Sequence, residues 1–191
     1  RIRKCFGTEN NNSLDDVVEV DETYIGGKNK NRHNSKKVKN AQGRLLKDKS
    51  AVVGMVQHQG KVNTHHVPDT KTKTLTEQIV KYVKETAQLY TDEWLGYNKV
   101  AKMYQHDFVN HGAREYVQSD VYTNTIEGFW AVLKRGVLGI YHSWSKKYLQ
   151  DYVDEFVFRY NTRDYSDSQR FNLLLSNVCV RTKYRELIYG Y

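Results

Sequence analysis

The sequence predicts an α/β domain, a mixed β-sheet flanked by helices, with further helices at its C-terminal end. Stretches rich in β-branched residues, separated by turn residues, alternate with helical patterns over the first 110 positions. The last third of the chain shows apolar residues at helical spacing only. A chain of 191 residues with 15 Tyr, 6 Phe and 3 Trp also has the length and bulk for a core. We therefore expect one domain built on one sheet.

The composition excludes several classes of protein. Two cysteines, Cys5 and Cys179, cannot build a disulfide framework or a four-cysteine zinc site. No apolar run approaches the roughly 20 residues of a membrane-spanning helix, which predicts a soluble chain without a membrane partner. No signal peptide is visible, and Arg1 stands where a Met would begin a gene product, so we expect further sequence upstream.

The first part of the sheet follows a polar segment. The letters RIRKCF at the start are typical of the end of a helix, and residues 9–13 (ENNNS) of a linker. Three strands are predicted next: 17–25, 51–57 and 61–67. The short turn His58–Gly60 makes the last two a hairpin, which Pro68 ends.

Helices and strands then alternate. Thr74 and Glu77 form a capping box that predicts a helix, with apolar spacing as far as Ala87. Residues 88–92 predict a short strand, 94–100 a short helix and 104–110 a fifth strand.

The C-terminal third is predicted to be helical. One narrow apolar stripe is ended by Gly136 and Gly139 and comprises Ile126, Phe129, Trp130, Leu133 and Val137. The next helix repeats an aromatic residue every fourth position: Trp144, Tyr148, Tyr152, Phe156 and Tyr160. Residues 171–178 predict a last short helix.

The whole net charge of +8 comes from one segment of the chain. Residues 28–49 contain nine basic residues and one acidic residue, and the rest of the chain is balanced. The segment is rich in Asn and poor in apolar residues, which predicts an exposed loop. It is either a solvated charge run or a contact for a polyanion such as DNA.

Three carboxylates occupy positions that suggest a metal site. Asp21 lies inside a strand, where a buried carboxylate is costly unless it is paired or bound to a metal. Asp92 ends a strand at the edge where α/β proteins place ligands, and Glu127 lies in the first turn of a helix. Convergent carboxylates repel one another, and hard oxygen ligands favour Mg²⁺ or Mn²⁺ as the neutralising ion.

Each carboxylate also has an ordinary alternative. Asp21 could be an edge-strand charge or a turn partner, and Asp92 could cap the helix that starts near Trp94. Glu127 could complete a capping box with Asn124.

Lys134 follows Glu127 by seven residues, so both lie on one face of the predicted helix. A cation there could hold a DNA phosphate beside the metals; the alternative is a surface lysine extended past Trp130.

The combined motifs resemble a known family. VEVDETYIGGK, YTDEW, HGAREY and TNTIEGFWAVLKRGVLGIYH, in this order, resemble the DD-E insertion-sequence transposases of the ISXO-like group, to which eukaryotic Merlin elements are related. The resemblance covers about residues 14–163. Asp21, Asp92, Glu127 and Lys134 match the family's D, D, E and trailing K.

The resemblance implies an RNase H-like fold with a five-stranded mixed sheet. It divides the chain into the end of an upstream helix and a linker (1–13), a catalytic domain (14–163) with the basic loop (28–49), and a C-terminal helical tail (164–191). Such families usually carry upstream zinc-ribbon and helical DNA-binding modules, so we expect a truncated or a degenerate copy.

The implied activity is that of a DDE transposase. Asp21, Asp92 and Glu127 would hold two Mg²⁺ or Mn²⁺ ions, Asp21 bridging both, for phosphodiester hydrolysis at transposon ends and 3′-OH strand transfer into target DNA. The partners would be double-stranded DNA and further copies of the chain, in a homodimer or a larger synaptic assembly. The location would be the cytoplasm, at the nucleoid, in a bacterium and the nucleus in a eukaryote.

The DNA contacts expected from the basic loop and from the vicinity of the carboxylates are Lys28, Lys30, Arg32, Lys36, Lys37, Lys39, His111, Asn124, Lys134, Arg135 and His142. Two other functions remain open: a DNA-binding remnant of a transposase without catalysis, and an RNase H-like nuclease acting on branched or hybrid nucleic acid.

Overall fold

The computed structural model describes residues 2–26, 33–37, 49–92, 95–109, 123–142, 144–178 and 183–189. In these ranges the strands are β1 (Val17–Ile25), β2 (Ser50–Gln57), β3 (Val62–Val67), β4 (Gln88–Asp92) and β5 (Gln105–Val109). The α-helices are α1 (Thr72–Tyr82), α2 (Asn124–Gly136), α3 (Leu149–Asn161), α4 (Asp167–Ser176) and α5 (Tyr184–Tyr189).

The five strands form one mixed sheet in the order β3-β2-β1-β4-β5. β1 and β3 flank β2 in antiparallel pairs, whereas β4 is parallel to both β1 and β5. The predicted five-stranded mixed sheet is therefore confirmed. β1 lies at its centre, so the interpretation of Asp21 as an edge-strand charge is wrong.

The sheet buries both of its faces. One face packs α1 through a cluster that includes Val18, Val20, Leu75 and Ile79. The opposite face packs α2 and α3 through a second cluster, which includes Ile25, Val52, Val56, Ile126, Phe129, Trp130, Leu133, Val153 and Val157. Side chains alternate along a strand, so β1, β2 and β3 each supply both clusters.

Two predicted helix boundaries are wrong. α1 begins at Thr72, and Thr74 donates its hydroxyl hydrogen to Asp69 (2.7 Å) instead of capping the helix. α1 ends at Tyr82 because Val83 is extended and bridges to Leu14. The described part of the helix predicted at 94–100 consists of two 3₁₀ turns, Leu95–Tyr97 and Val100–Lys102.

α2 ends at Gly136, as the sequence predicts, but the chain stays helical beyond it. The helix continues as a π-helical turn, Val137–Tyr141, and stops at His142, whose φ of 58° leaves the helical region. Gly136 also lets α3 approach, because a Cβ at this position would lie 2.1 Å from the ring of Phe156.

Two more α-helices follow α3 at the C-terminal end of the chain. α4 starts earlier than predicted, at a capping box between Ser166 and Gln169, and α5 was not predicted. At the N-terminal end, where the sequence predicts the end of a helix, Ile2–Glu9 is a 3₁₀ helix, and Phe6 packs on Phe158 of α3 (5.1 Å between ring centroids). The domain boundaries at 13/14 and 163/164 stay predictions. Within the described ranges, every helix is too short or too polar to cross a membrane.

Candidate active site

Asp21 occupies the middle of the central strand, on the face covered by α2. Its Oδ1 accepts a hydrogen bond from the backbone N–H of Glu22 (2.7 Å) and its Oδ2 accepts one from the indole N–H of Trp130 (2.9 Å). The pKa of this carboxyl is raised from 3.8 to about 7, first by burial and then by the negative charges of Glu22 and Asp92. The two hydrogen bonds act in the opposite direction.

Asp92 is brought next to Asp21 by the parallel pairing of β1 and β4. The ladder runs from Val17 opposite Gln88 to Val20 opposite Thr91, so the two aspartates are the next residues of the same register. Their charges interact, since Asp92 contributes to the raised pKa of Asp21. The structure therefore places the first two members of the predicted triad side by side, Asp21 in the middle of β1 and Asp92 at the end of β4.

Trp130 holds Asp21 in place from α2. Its indole lies over Gly54, which pairs with Asp21 in the neighbouring strand β2. A Cβ on Gly54 would lie 2.5 Å from the indole ring, so only glycine leaves room for the ring there. The sequence placed Trp130 in the apolar core; it is in the core, at 3% exposure, and it also binds the site carboxylate.

Glu127 lies in the first turn of α2 and is exposed. Thr123 is the N-cap and Asn124 is the first helical residue, so the alternative of a capping box between Asn124 and Glu127 is wrong. Among the described residues, no three His, Cys, Asp or Glu side chains converge closely enough to hold one ion. Glu127 therefore stands on the element beside the Asp21–Asp92 pair, without forming a cluster with it.

The predicted phosphate contacts on α2 are all exposed: Asn124, Lys134 and Arg135, with His142 at the end of the π-helical turn. In the basic loop, Lys36 ends a 3₁₀ turn (Asn34–Lys36) and Lys37 is exposed. Lys28, Lys30, Arg32, Lys39 and His111 lie outside the described residues, as does Trp94, the start of the helix that Asp92 was thought to cap.

Sequence reasoning missed two buried carboxylates that flank Asp21 on β1. Glu22 faces the α1 side, where it accepts a hydrogen bond from the Tyr97 hydroxyl (2.9 Å). Burial, followed by the charge of Glu22, raises the pKa of Tyr97 well above its usual value. Glu19 faces the α2 side and bonds His58 and the backbone of Ile126. The signal was present in the letters EVDE, three acids in a strand that is otherwise apolar.

The donor set fits a hard divalent cation. Each oxygen of Asp21 accepts one hydrogen bond and keeps a second lone pair for a ligand bond. Burial, and then the negative charges of Glu22 and Asp92, raise the pKa of Asp21, and a divalent cation would relieve the repulsion between these charges. Oxygen ligands of this kind are those that Mg²⁺ and Mn²⁺ prefer.

Comparison with known proteins shows the family of this chain. The chain is 28% identical over 159 residues to an uncharacterized protein in transposable element ISH50 of Halobacterium salinarum. That alignment covers 76% of this chain and 52% of the relative, so the chain spans about half the length of the curated relative it matches. The family model described as ISXO2-like transposase domain matches residues 13–161, which contain the whole sheet, α1, α2 and α3. The chain therefore belongs to the ISXO2-like transposase domain family.

Proposed function

We propose that this chain is the catalytic core of a DNA transposase, which hydrolyses the phosphodiester at the ends of its element and then joins the exposed 3′-OH to target DNA. The observation that carries the proposal is the Asp21–Asp92 pair on the neighbouring strands β1 and β4, with the pKa of Asp21 raised to about 7. An ordinary surface carboxylate titrates near 4, and perturbed groups concentrate at functional sites.

Asp21, Asp92 and Glu127 would hold two Mg²⁺ or Mn²⁺ ions in this core. Bound ions would lower the pKa of the attacking water and neutralise charge on the departing 3′ oxygen. Asp21 has its orientation fixed by Trp130 and by the Glu22 amide, so its remaining lone pairs face a constant direction. Glu127 would complete the set from the first turn of α2.

The outer face of α2 would bind the DNA backbone. Lys134 and Arg135 are exposed two turns beyond Glu127, where their charges would meet phosphates on either side of the reacting one. Asn124 and His142, at the two ends of the same helical segment, would add hydrogen bonds to phosphate or sugar. The basic loop would extend this contact beyond the site.

Transposition joins two element ends, which requires both to be held in one assembly. We therefore propose a homodimer or a larger complex of this chain on double-stranded DNA, acting at the nucleoid of a bacterium or in the nucleus of a eukaryote.

The test is a strand-transfer assay in Mg²⁺ with a pre-cut oligonucleotide that carries the inverted repeat flanking the gene. We expect joined products with the wild type and at least a 10³-fold lower rate with Asp92→Asn, since charge neutralisation at the site contributes several kcal/mol. Asp107→Asn is the matched control. Asp107 lies on β5 and accepts a hydrogen bond from Gln88, the first residue of β4, whereas Asp92 is the last residue of that strand.

Equal inertness of the wild type and Asp92→Asn, with DNA binding retained, would reject catalysis and support the binding remnant. Cleavage of branched or hybrid substrates without any joining of ends would instead support the nuclease.

A further inference from the structure

Glu19 is a fully buried carboxylate that ties β1 to α2. It lies two residues before Asp21, on the same face of the sheet, with no solvent exposure. Its Oε2 accepts a hydrogen bond from the backbone N–H of Ile126 (2.8 Å). Its Oε1 lies 2.6 Å from Nε2 of His58 in the turn between β2 and β3.

The bond to Ile126 replaces a helix cap that the local sequence does not supply. The first N–H groups of an α-helix have no partner within the helix, and a side chain at the N-cap usually serves the third one. Thr123, the N-cap of α2, makes no side-chain capping bond. Ile126 is the third helical residue, so the capping oxygen comes from the central strand, and a carboxylate there also suits the helix dipole.

His58 fixes the second oxygen of Glu19. Its own backbone N–H donates to Val17 O (2.9 Å), at the start of β1, and its ring contacts the edge of Tyr90 (5.7 Å between centroids). Glu19 is therefore held at both oxygens and cannot turn to follow a shift of α2. A buried acid with two such partners is costly to desolvate, and an apolar residue of the same size would avoid that cost.

We propose that Glu19 is a positioning residue, whose length sets the separation between Asp21 on β1 and Glu127 on α2. Glu127 directly follows the residue that Glu19 holds, and Asp21 lies two positions along the strand that carries Glu19. The inference rests on the proposed function, in which both carboxylates serve one metal site. Glu19 would then be a further residue, outside the D, D, E pattern, on which the geometry of the metal site depends.

Two substitutions separate the length of the side chain from its charge. Glu19→Gln keeps the length and an oxygen that accepts from Ile126, whereas Glu19→Asp keeps the charge and is one methylene shorter. We expect Glu19→Asp to weaken Mn²⁺ binding by the DNA-free protein by about 10- to 100-fold, as loss of a group that orients a ligand does. Glu19→Gln should stay within about threefold of the wild type.

Asp154→Ala is the matched control for a loss of stability alone. Asp154 is also a buried carboxylate with two partners, Asn10 and Gln150, but it lies on α3 away from the site. We expect it to lower the thermal midpoint and leave the Mn²⁺ affinity unchanged.

The hydrogen bond from the Ile126 amide to Glu19, called the tether here, can be measured directly. NMR of the metal-free protein gives the hydrogen-exchange rate of this amide. We expect faster exchange in Glu19→Asp than in the wild type and in Glu19→Gln. Wild-type exchange or Mn²⁺ affinity in Glu19→Asp overturns the proposal, and so does an equal affinity loss in Asp154→Ala. If Glu19→Asp loses Mn²⁺ affinity but the wild type joins no DNA ends, strand transfer is rejected, and Glu19 still positions the carboxylates of a metal site.

Discussion

Asp21 combines a buried position with a negative neighbour, and its titration should therefore be measurable in the stability of the metal-free protein. Its pKa is about 7 in the folded chain against an ordinary 3.8. Between these values the folded state keeps a proton that the unfolded state releases, so stability falls as pH rises from about 4 to about 7. The slope from this one group is up to about 1.4 kcal/mol per pH unit.

Asp21→Asn removes that slope. We expect the difference in unfolding free energy between wild type and variant, from urea denaturation in EDTA, to shift in favour of the variant by up to about 4 kcal/mol between pH 4 and pH 8. Asparagine accepts only one of the two hydrogen bonds, which adds a constant offset and leaves the slope as the readout. Parallel pH profiles of the two proteins would show that the aspartate titrates normally.

Residue type and strand position single out Asp21 and Asp92 as candidates, because an acid within or at the end of a strand is unusual, and their role at the site stays a prediction. They were not enough for Trp130, because periodicity assigns a side chain to the core without saying which polar atom it meets there. Glu19 was hidden for a similar reason: its partner on α2 is 107 residues away in the sequence.

The close contact of α2 with α3 makes the two glycines of α2 differ in the effect of the same substitution. A Cβ on Gly136 would lie 2.1 Å from the Phe156 ring, whereas a Cβ on Gly128 would meet nothing within 4 Å. Alanine favours a helix interior over glycine by about 1 kcal/mol. We therefore expect Gly128→Ala to stabilise the protein by about 0.5–1 kcal/mol.

Gly136→Ala should do the opposite, by about 1–3 kcal/mol, because the core must shift to admit the methyl group. Chemical denaturation of both variants at one pH measures the pair, and Gly128→Ala controls for the propensity gain common to both. Stabilisation by both substitutions would mean that α3 does not pack against Gly136.

Strand bounds were predicted within one residue, because alternation and turn residues are local signals. Helix ends were predicted less well where tertiary contacts decide them. Thr74 bonds Asp69 instead of capping α1, and although α2 ends at Gly136, a π-helical turn that contains Gly139 follows it directly. The cap of α2 comes from another element altogether, which no local pattern could indicate.

On the scale of the whole molecule, the excess of positive charge lies in one segment, whose contribution to DNA binding can be tested. All of the net charge of +8 belongs to residues 28–49, which begin three residues after β1 ends. If about five of these basic side chains meet phosphates, log K for DNA should fall with log salt at a slope of about −4.5. Replacing Lys28, Lys30, Arg32, Lys36, Lys37 and Lys39 by Gln should then flatten the slope by about the same amount.

The matched control changes the net charge equally at six exposed lysines elsewhere: Lys71, Lys73, Lys81, Lys99, Lys102 and Lys183. Contacts between the loop and phosphates release counterions locally, so the control protein should keep most of the wild-type slope, as measured by fluorescence anisotropy over a salt series. Equal flattening in both proteins would mean that only the total charge matters. In that case the loop would be a solvated charge run with no special part in DNA binding.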